Sequence, residues 1–163
     1  MKPLRRYSRT SLWLVVPPLA LSVGLWSRLP RAYGSAFWDI VPPYVSVAEN
    51  VLRIAAFALA ALLPFGVDTP RQKRGRLIYL AGLCMYVGSY ATEILFPDSA
   101  WSRSAIGFTA PAWTTLLWFV GIGLMAGDPY FPRWFRGAHF IIVATAFVCV
   151  HVTHAAMVFK QLP

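Results

Sequence analysis

The sequence contains few charged residues, and acidic residues are the rarest of them. Charged side chains make up 13% of the 163 residues, whereas a typical soluble domain carries about 25%. The hydrophobic share is 58%, above the roughly 45–50% that is usual for soluble domains. These two departures exclude an ordinary soluble globular protein and indicate a single membrane domain over residues 1–163.

Cysteine is nearly absent, with two residues in the whole chain. Cys84 and Cys149 each lie midway along an apolar run, and neither belongs to a CxxC or zinc-like spacing. A disulfide framework is therefore excluded, and we interpret both residues as small buried hydrophobic side chains. Common catalytic and nucleotide-binding signatures (GxSxG, Walker A, GxGxxG and HExxH) are also missing. The segment from Gly121 to Gly123 lies within an apolar run, where a close helix contact explains it better than phosphate binding.

Five apolar runs are long enough to cross a bilayer, since a spanning helix needs about 20 mostly apolar residues. They comprise residues 12–29, 42–65, 77–96, 106–125 and 138–159. Open strand edges are unstable in lipid, so the runs predict helices, and their short connections predict an all-α, up-down membrane bundle of five transmembrane helices. Basic residues precede the first run, as in a signal sequence, but no cleavage site follows it. We therefore expect an uncleaved first helix, kinked at Pro17 and Pro18.

Basic residues are divided unequally between the two sides of such a bundle. Ten lie on the side of the N-terminus and four on the other side, while Arg53 lies within a run. Lys and Arg collect in cytoplasmic loops, so we expect a cytoplasmic N-terminus and an extracytoplasmic C-terminus, in a bacterial cytoplasmic membrane. This distribution explains the net charge of +9 without nucleic-acid binding. The ten are Lys2, Arg5, Arg6, Arg9, Arg71, Lys73, Arg74, Arg76, Arg133 and Arg136, and the four are Arg28, Arg31, Arg103 and Lys160.

Polar residues inside the runs fall mainly in the outer half of the bilayer. At about 1.5 Å per residue, Glu49 and Arg53 lie about 10 and 16 Å below the outer end of the second run. His151 and His154 lie about 12 and 7 Å below the outer end of the fifth run. Glu93 lies near the outer end of the third. Ionisable residues are costly in a membrane and often mark functional sites, so we expect an intramembrane pocket in the outer-leaflet half.

Helical spacing places these residues on shared faces. Glu49 and Arg53 are four residues apart, which allows them to pair along one helix. His151 and His154 are three residues apart and share a face of the fifth helix. A second face, on the third helix, combines polar and aromatic side chains at helical spacing. We expect Glu49, Glu93, His151 and His154 to act as catalytic acid–base residues, and Asn50, Arg53, Tyr86, Ser89, Tyr90 and Trp113 to bind the substrate.

Three functions are consistent with this arrangement. The first is an acid–base or metal-assisted enzyme for a lipid-like or hydrophobic small molecule; if a metal is bound, its ligands are His151, His154, Glu49 and Glu93. The second is a non-catalytic ligand or proton carrier, a transporter or an accessory subunit of a membrane complex, and a transporter of this size would be oligomeric. The third is structural, with Glu49 and Arg53 neutralising each other and the histidines joining neighbouring helices. A transporter would need polar groups in the inner half of the bilayer as well, and the sequence has almost none there. This asymmetry favours the first function, the enzyme. The sequence identifies no cofactor, and its expected partners are the bilayer and the hydrophobic molecule.

Overall fold

The structure is a computed structural model that describes residues 9–30, 41–131 and 134–161. Helix accounts for 74% of it, and the described ranges contain no strand apart from two isolated bridges, Thr10 with Pro64 and Phe65 with Ala126. The all-helical fold class is therefore confirmed. Some of the basic residues counted for orientation lie outside the described residues, namely Lys2, Arg5, Arg6, Arg31 and Arg133.

Three of the helices are long and apolar enough to cross a membrane. In chain order the helices are α1 (Val16–Leu25), α2 (Pro43–Leu62), α3 (Pro70–Leu95), α4 (Ala105–Phe108), α5 (Ala110–Trp113), α6 (Thr115–Met125) and α7 (Gly137–Phe159). Helices α2, α3 and α7 have 20, 26 and 23 residues. They are therefore about 30 to 39 Å long, against a hydrocarbon core of about 30 Å. These three helices indicate a membrane protein.

The two prolines of the first run begin helix α1 instead of kinking a longer helix. The helix starts at Val16, so Pro17 and Pro18 occupy its first turn, where a missing backbone N–H leaves no bond unmade. The residues just before it, Ser11–Leu14, form a 3-10 turn, and Ser11 N donates to Leu63 O at 2.7 Å. Another 3-10 turn, Trp26–Arg28, follows α1. The first run is therefore not one continuous helix, and its break lies just before the prolines, because proline is compatible with the start of a helix.

Helix α3 begins at Pro70, seven residues before the apolar run that predicted it. A capping box explains this start: Thr69 Oγ1 accepts from Gln72 N at 3.2 Å, and Gln72 Oε1 accepts from Thr69 N at 3.1 Å. Pro70 takes the first helical position, which suits its fixed φ angle. Several basic residues expected in a loop therefore lie in the first turns of α3, including Arg71, whose Nη2 donates to Ala126 O at 2.6 Å.

The fourth apolar run folds as three short helices in series, α4, α5 and α6. Proline at position 111 removes one backbone donor. Threonine hydroxyls also compete for helix carbonyls: Thr109 Oγ1 donates to Ala105 O at 2.7 Å, and Thr114 Oγ1 donates to Ala110 O at 2.6 Å. Such back-bonding bends helices, and it occurs at both junctions between the three segments.

Glycines allow α3 and α6 to pack backbone against backbone. A Cβ added at Gly82 would lie 2.5 Å from Trp118 N, and one added at Gly121 would lie 2.5 Å from Tyr79 N. Gly123 approaches α7 in the same way. The interpretation of Gly121 and Gly123 as a close helix contact is confirmed. Helix α2 packs against α7, and α6 packs against both α3 and α7.

The two cysteines lie on the surface of the bundle. Cys84 on α3 and Cys149 on α7 are both free thiols and both exposed. The expectation that they are buried is wrong, because an apolar residue of a spanning helix is as stable against lipid as in the protein core. An apolar run alone does not distinguish these two environments.

Candidate functional site

The carboxylate of Glu49 is the centre of a buried polar cluster that joins α2 to α7. Its side chain is 0% exposed. Oε1 pairs with Arg53 Nη2 and accepts from His151 Nδ1 at 3.1 Å, and Oε2 accepts from His154 Nδ1 at 2.6 Å. Both carboxylate oxygens are thus hydrogen-bonded and the charge is paired, which is the condition for burying an ionised group. We name Glu49, Arg53, His151 and His154 the Glu49 cluster.

Local helix geometry and one helix contact together produce this cluster. Arg53 lies one turn after Glu49, so these two side chains meet on a single helix. His151 and His154 lie three residues apart on α7 and point to the same side. Because α2 packs against α7, the two faces meet, and one carboxylate serves partners from both helices.

Neighbouring side chains hold Arg53 and His151 in place. Asn50 Oδ1 accepts from Arg53 Nη1 at 3.0 Å. The guanidinium carbon lies 5.6 Å from the ring centre of Phe147, a distance at which a cation is attracted to an aromatic face. The His151 ring stacks on the same Phe147 ring, with centroids 5.5 Å apart and ring planes within 10° of parallel. Asn50 therefore positions Arg53 in this structure, whereas the sequence analysis expected it to contact a substrate.

The hydrogen bonds assign the same tautomer to both histidines. An ionised carboxylate only accepts hydrogen bonds, so the Nδ1 atoms that face Glu49 carry the protons. In a neutral imidazole the other nitrogen, Nε2, is then an acceptor. The side chain of His154 is 0% exposed, whereas that of His151 is 22% exposed. His151 is therefore the histidine of the pair that a second molecule can reach.

A cavity of about 220 Å³ lies beside the Glu49 cluster, between α1, α2, α3, α6 and α7. Arg53 and His151 line it, so two partners of the buried carboxylate connect Glu49 to this space. Most of the wall is aromatic. The aromatic lining residues are Trp26, Phe57, Tyr86, Tyr90, Trp118, Phe119 and Phe147.

A chain of hydroxyl groups extends along the α1 and α3 side of the cavity. The Tyr86 hydroxyl lies 2.5 Å from Ser22 Oγ and 3.3 Å from the Tyr90 hydroxyl. Ser22 Oγ also lies within bonding distance, 2.8 Å, of Pro18 O. The two tyrosine rings meet edge to face with centroids 5.0 Å apart. Tyr86 and Tyr90, both expected from the sequence, therefore line the same cavity as Arg53 and His151.

Other predicted site residues lie elsewhere. Ser89 and Trp113 line a second cavity, of about 350 Å³, together with Thr92, Trp101 and other residues. Ser89 Oγ donates to Tyr86 O at 2.7 Å and Trp113 Nε1 donates to Ile106 O at 3.1 Å, so both also support local backbone. Glu93 is 2% exposed on α3. The residues expected in one pocket are thus divided between two cavities and the buried cluster.

Several cavity residues were not among the site residues expected from the sequence. Ser22 and Trp26 lie four residues apart, one at the end of α1 and one in the turn after it, and Phe147 lies four residues before His151. This helical spacing is a usable signal for Phe147, because it places the ring on the histidine face. No comparable signal identifies Trp118, which enters the cavity only through the packing of α6.

The donor atoms of the cluster do not form a metal-ligand set. Within the described residues, no group of three or more His, Cys, Asp and Glu side chains is arranged to hold a metal ion. The carboxylate oxygens of Glu49 already bind the Arg53 guanidinium and two imidazole nitrogens. The set expected to bind a metal, if one is present, therefore comes together only in part, through Glu49, His151 and His154.

Comparison with protein-family models, characterised proteins and solved structures finds no match to this chain.

Proposed function

We propose that the chain is a five-span protein of the bacterial cytoplasmic membrane, with its N-terminus inside. The segments outside the three long helices support this count. With its flanking 3-10 turns, the α1 segment extends from Ser11 to Arg28, or about 30 Å, and α4 to α6 extend from Ala105 to Met125, also about 30 Å. Each is long enough for a hydrocarbon core of about 30 Å. The excess of Lys and Arg on the N-terminal side supports the orientation.

The proposed activity is proton transfer to and from a hydrophobic small molecule bound in the 220 Å³ cavity. The observation that carries it is the bond from His151 Nδ1 to the fully buried Glu49, at 3.1 Å. A carboxylate in this position fixes the imidazole tautomer, orients the ring and stabilises the imidazolium that forms when Nε2 takes a proton. His151 is the member of the histidine pair that lines the cavity, so it is the proposed base.

The proposed reaction moves one proton between a ligand oxygen and His151. A hydroxyl group of the bound molecule donates its proton to His151 Nε2, and the O–H electron pair stays on oxygen. The Arg53 guanidinium, which also lines the cavity, pairs with the negative oxygen that results. The reverse transfer returns the proton from the imidazolium to the oxygen. Glu49 stays ionised throughout, and His154 holds the carboxylate from the buried side.

The two histidines provide a matched test. Gln in place of His151 keeps a donor for Glu49 but cannot accept a proton as a base, and Gln in place of His154 changes the same carboxylate at a position away from the cavity. We expect His151→Gln to reduce the amount of co-purified hydrophobic molecule by about tenfold, as the loss of a charge-assisted hydrogen bond predicts. Folded His154→Gln should retain it. Native mass spectrometry of the purified protein measures this amount.

Two results would refute the proposal. One is wild-type protein that retains no small molecule and binds none from a lipid extract. The other is an equal loss of ligand and of folded yield in both histidine variants, which would show that the cluster serves only to join helices.

The orientation of the chain in the membrane is tested separately, with reporters fused to the loop between α2 and α3 and to the C-terminus. A reporter signal from the wrong side of the membrane would refute the proposed orientation.

A further inference from the structure

The shape and polarity of the 220 Å³ cavity identify the class of molecule that it accepts. We infer that this molecule is a single six-membered ring with an oxygen at each end, a quinone or quinol head group, whose apolar tail extends into lipid. This inference rests on the proposed function, because it names the ligand of that same site. It does not depend on the direction in which protons move.

The size of the cavity limits the ligand to one ring. An engineered cavity of about 150 Å³ in another protein holds benzene. A volume of about 220 Å³ therefore accommodates a ring with substituents, whereas a fused sterol or a porphyrin is too large. Leu19 and Trp26, which line the cavity, are exposed on the bundle surface at 39% and 45%, so a tail can leave beside α1.

The walls select a flat ring. Seven of the twelve lining residues are aromatic, and they come from the turn after α1 and from α2, α3, α6 and α7. Aromatic rings pack with other rings in offset or edge-to-face arrangements that stabilise them beyond simple burial. Tyr86 and Trp118 already pack edge to face, with centroids 6.3 Å apart. A planar ring gains such contacts on several sides, which a flexible acyl chain does not.

Polar groups enter the cavity from two different helix pairs. Arg53 and His151 come from α2 and α7, which pack on each other. The hydroxyl groups of Ser22, Tyr86 and Tyr90 come from α1 and α3, which also contact each other. A ring that carries two oxygens offers one to each of these two groups.

The hydroxyl chain can either donate to a ligand oxygen or accept from it. Each hydroxyl has one hydrogen. Tyr86 donates to the Tyr90 oxygen, so the hydrogen of Tyr90 remains for a ligand carbonyl. The Tyr90 oxygen has a second lone pair, which can accept from a ligand hydroxyl.

Arg53 and His151 can likewise bind a ligand oxygen in two forms. His151 accepts through Nε2 when neutral and donates when protonated, and the Arg53 guanidinium donates to a carbonyl oxygen or an oxyanion. Both polar groups can therefore bind a ring oxygen as carbonyl and as hydroxyl. The quinone and quinol forms of one ring are the molecules that present both.

The test uses three probes with the same alkyl tail: a para-benzoquinone, the corresponding quinol and a cyclohexane without oxygen. Binding to the purified full-length protein is measured by titration with native mass spectrometry. We expect both oxygenated rings to bind at least about tenfold more tightly than the cyclohexane, since each supplies two hydrogen-bonding oxygens. Tyr90→Phe should weaken both by roughly fivefold, the loss typical of one hydrogen bond. Tyr44→Phe is the matched control, because Tyr44 is 70% exposed on α2 and does not line the cavity, and its affinity should equal wild type.

Different failures have different meanings. Equal binding of the cyclohexane and the quinone overturns the ring-oxygen inference but leaves the hydrophobic pocket of the proposed function intact. Failure of all three probes, with no molecule retained by the wild type, overturns both. If Tyr90→Phe does not fold, Ser22→Ala interrupts the same hydroxyl chain at its other end. Full quinone affinity in every variant that folds also overturns the inference.

Discussion

Replacing Glu49 by Gln removes the charge that joins α2 to α7 and changes little in side-chain volume. Breaking a buried, hydrogen-bonded charge pair by removing one partner destabilises a protein by about 3–5 kcal/mol. Gln still offers one carbonyl acceptor, and Arg53 is 28% exposed, so the remaining charge is not fully buried. Both features reduce the penalty. However, the amide NH₂ of Gln would face the Nδ1–H of one histidine, and two donors cannot bond to each other. We therefore expect a loss of about 2–3 kcal/mol in the free energy of unfolding.

The loss is measured by reversible unfolding of the detergent-solubilised protein with increasing SDS, followed by circular dichroism. Asp98→Asn is the matched control, because Asp98 pairs with Arg103 at 2.7 Å with both side chains largely exposed. An exposed pair contributes only about 0–1 kcal/mol. The reasoning is refuted if Glu49→Gln shifts the unfolding free energy no more than Asp98→Asn does. A double variant with His154→Gln should lose less than the sum of the two single losses, since both changes remove the same bond.

Three other predictions concern the fold. Gly82→Ala should destabilise the bundle by about 1–3 kcal/mol, since the added carbon would lie 2.5 Å from a backbone atom of α6. Gly88→Ala is the control and should be neutral or stabilising, because nothing lies within 4 Å of a carbon added there. Equal melting temperatures of the two variants would contradict the close contact. Thr69→Ala should destabilise the start of α3 by about 1 kcal/mol, seen as faster hydrogen exchange in its first turn, and unchanged exchange would argue against the capping box. Cys84 and Cys149 should react with a lipid-soluble maleimide in native vesicles and resist a membrane-impermeant one, and protection from both reagents would show that they are buried or covered.

The apolar runs predicted the ends of two helices closely, because the length of an apolar run reflects the thickness of the bilayer that the helix crosses. Helix α7 begins and ends within one residue of the run at 138–159, and α2 begins one residue after the run at 42–65 and ends three residues before it does. Prediction was poorer where a polar cap or a proline decides the boundary. Thr69 and Gln72 extend α3 into a basic segment, and Pro17 and Pro18 begin α1. These are local signals that a hydropathy window does not detect.

The site was predictable wherever one helix is sufficient to define it. The pairing of Glu49 with Arg53 and the shared face of His151 and His154 follow from a repeat of 3.6 residues per turn, which every α-helix has. The division of Tyr86 and Ser89 between two cavities does not follow from that repeat.

The sequence by itself determined the helical membrane class, the half of each run that is polar, and the residues that share a face. Only the tertiary structure decided that α2 meets α7 along the Glu49 face, and that Ser22, Tyr86 and Trp118 surround the same cavity as His151. The physical reason is that a spacing of three or four residues determines direction around one helix axis and not the rotation of that helix against its neighbours. That rotation is decided by packing, here by the close approach of Gly82 and Gly121 to the facing backbones, which aligns α3 on α6 and turns its tyrosines inward.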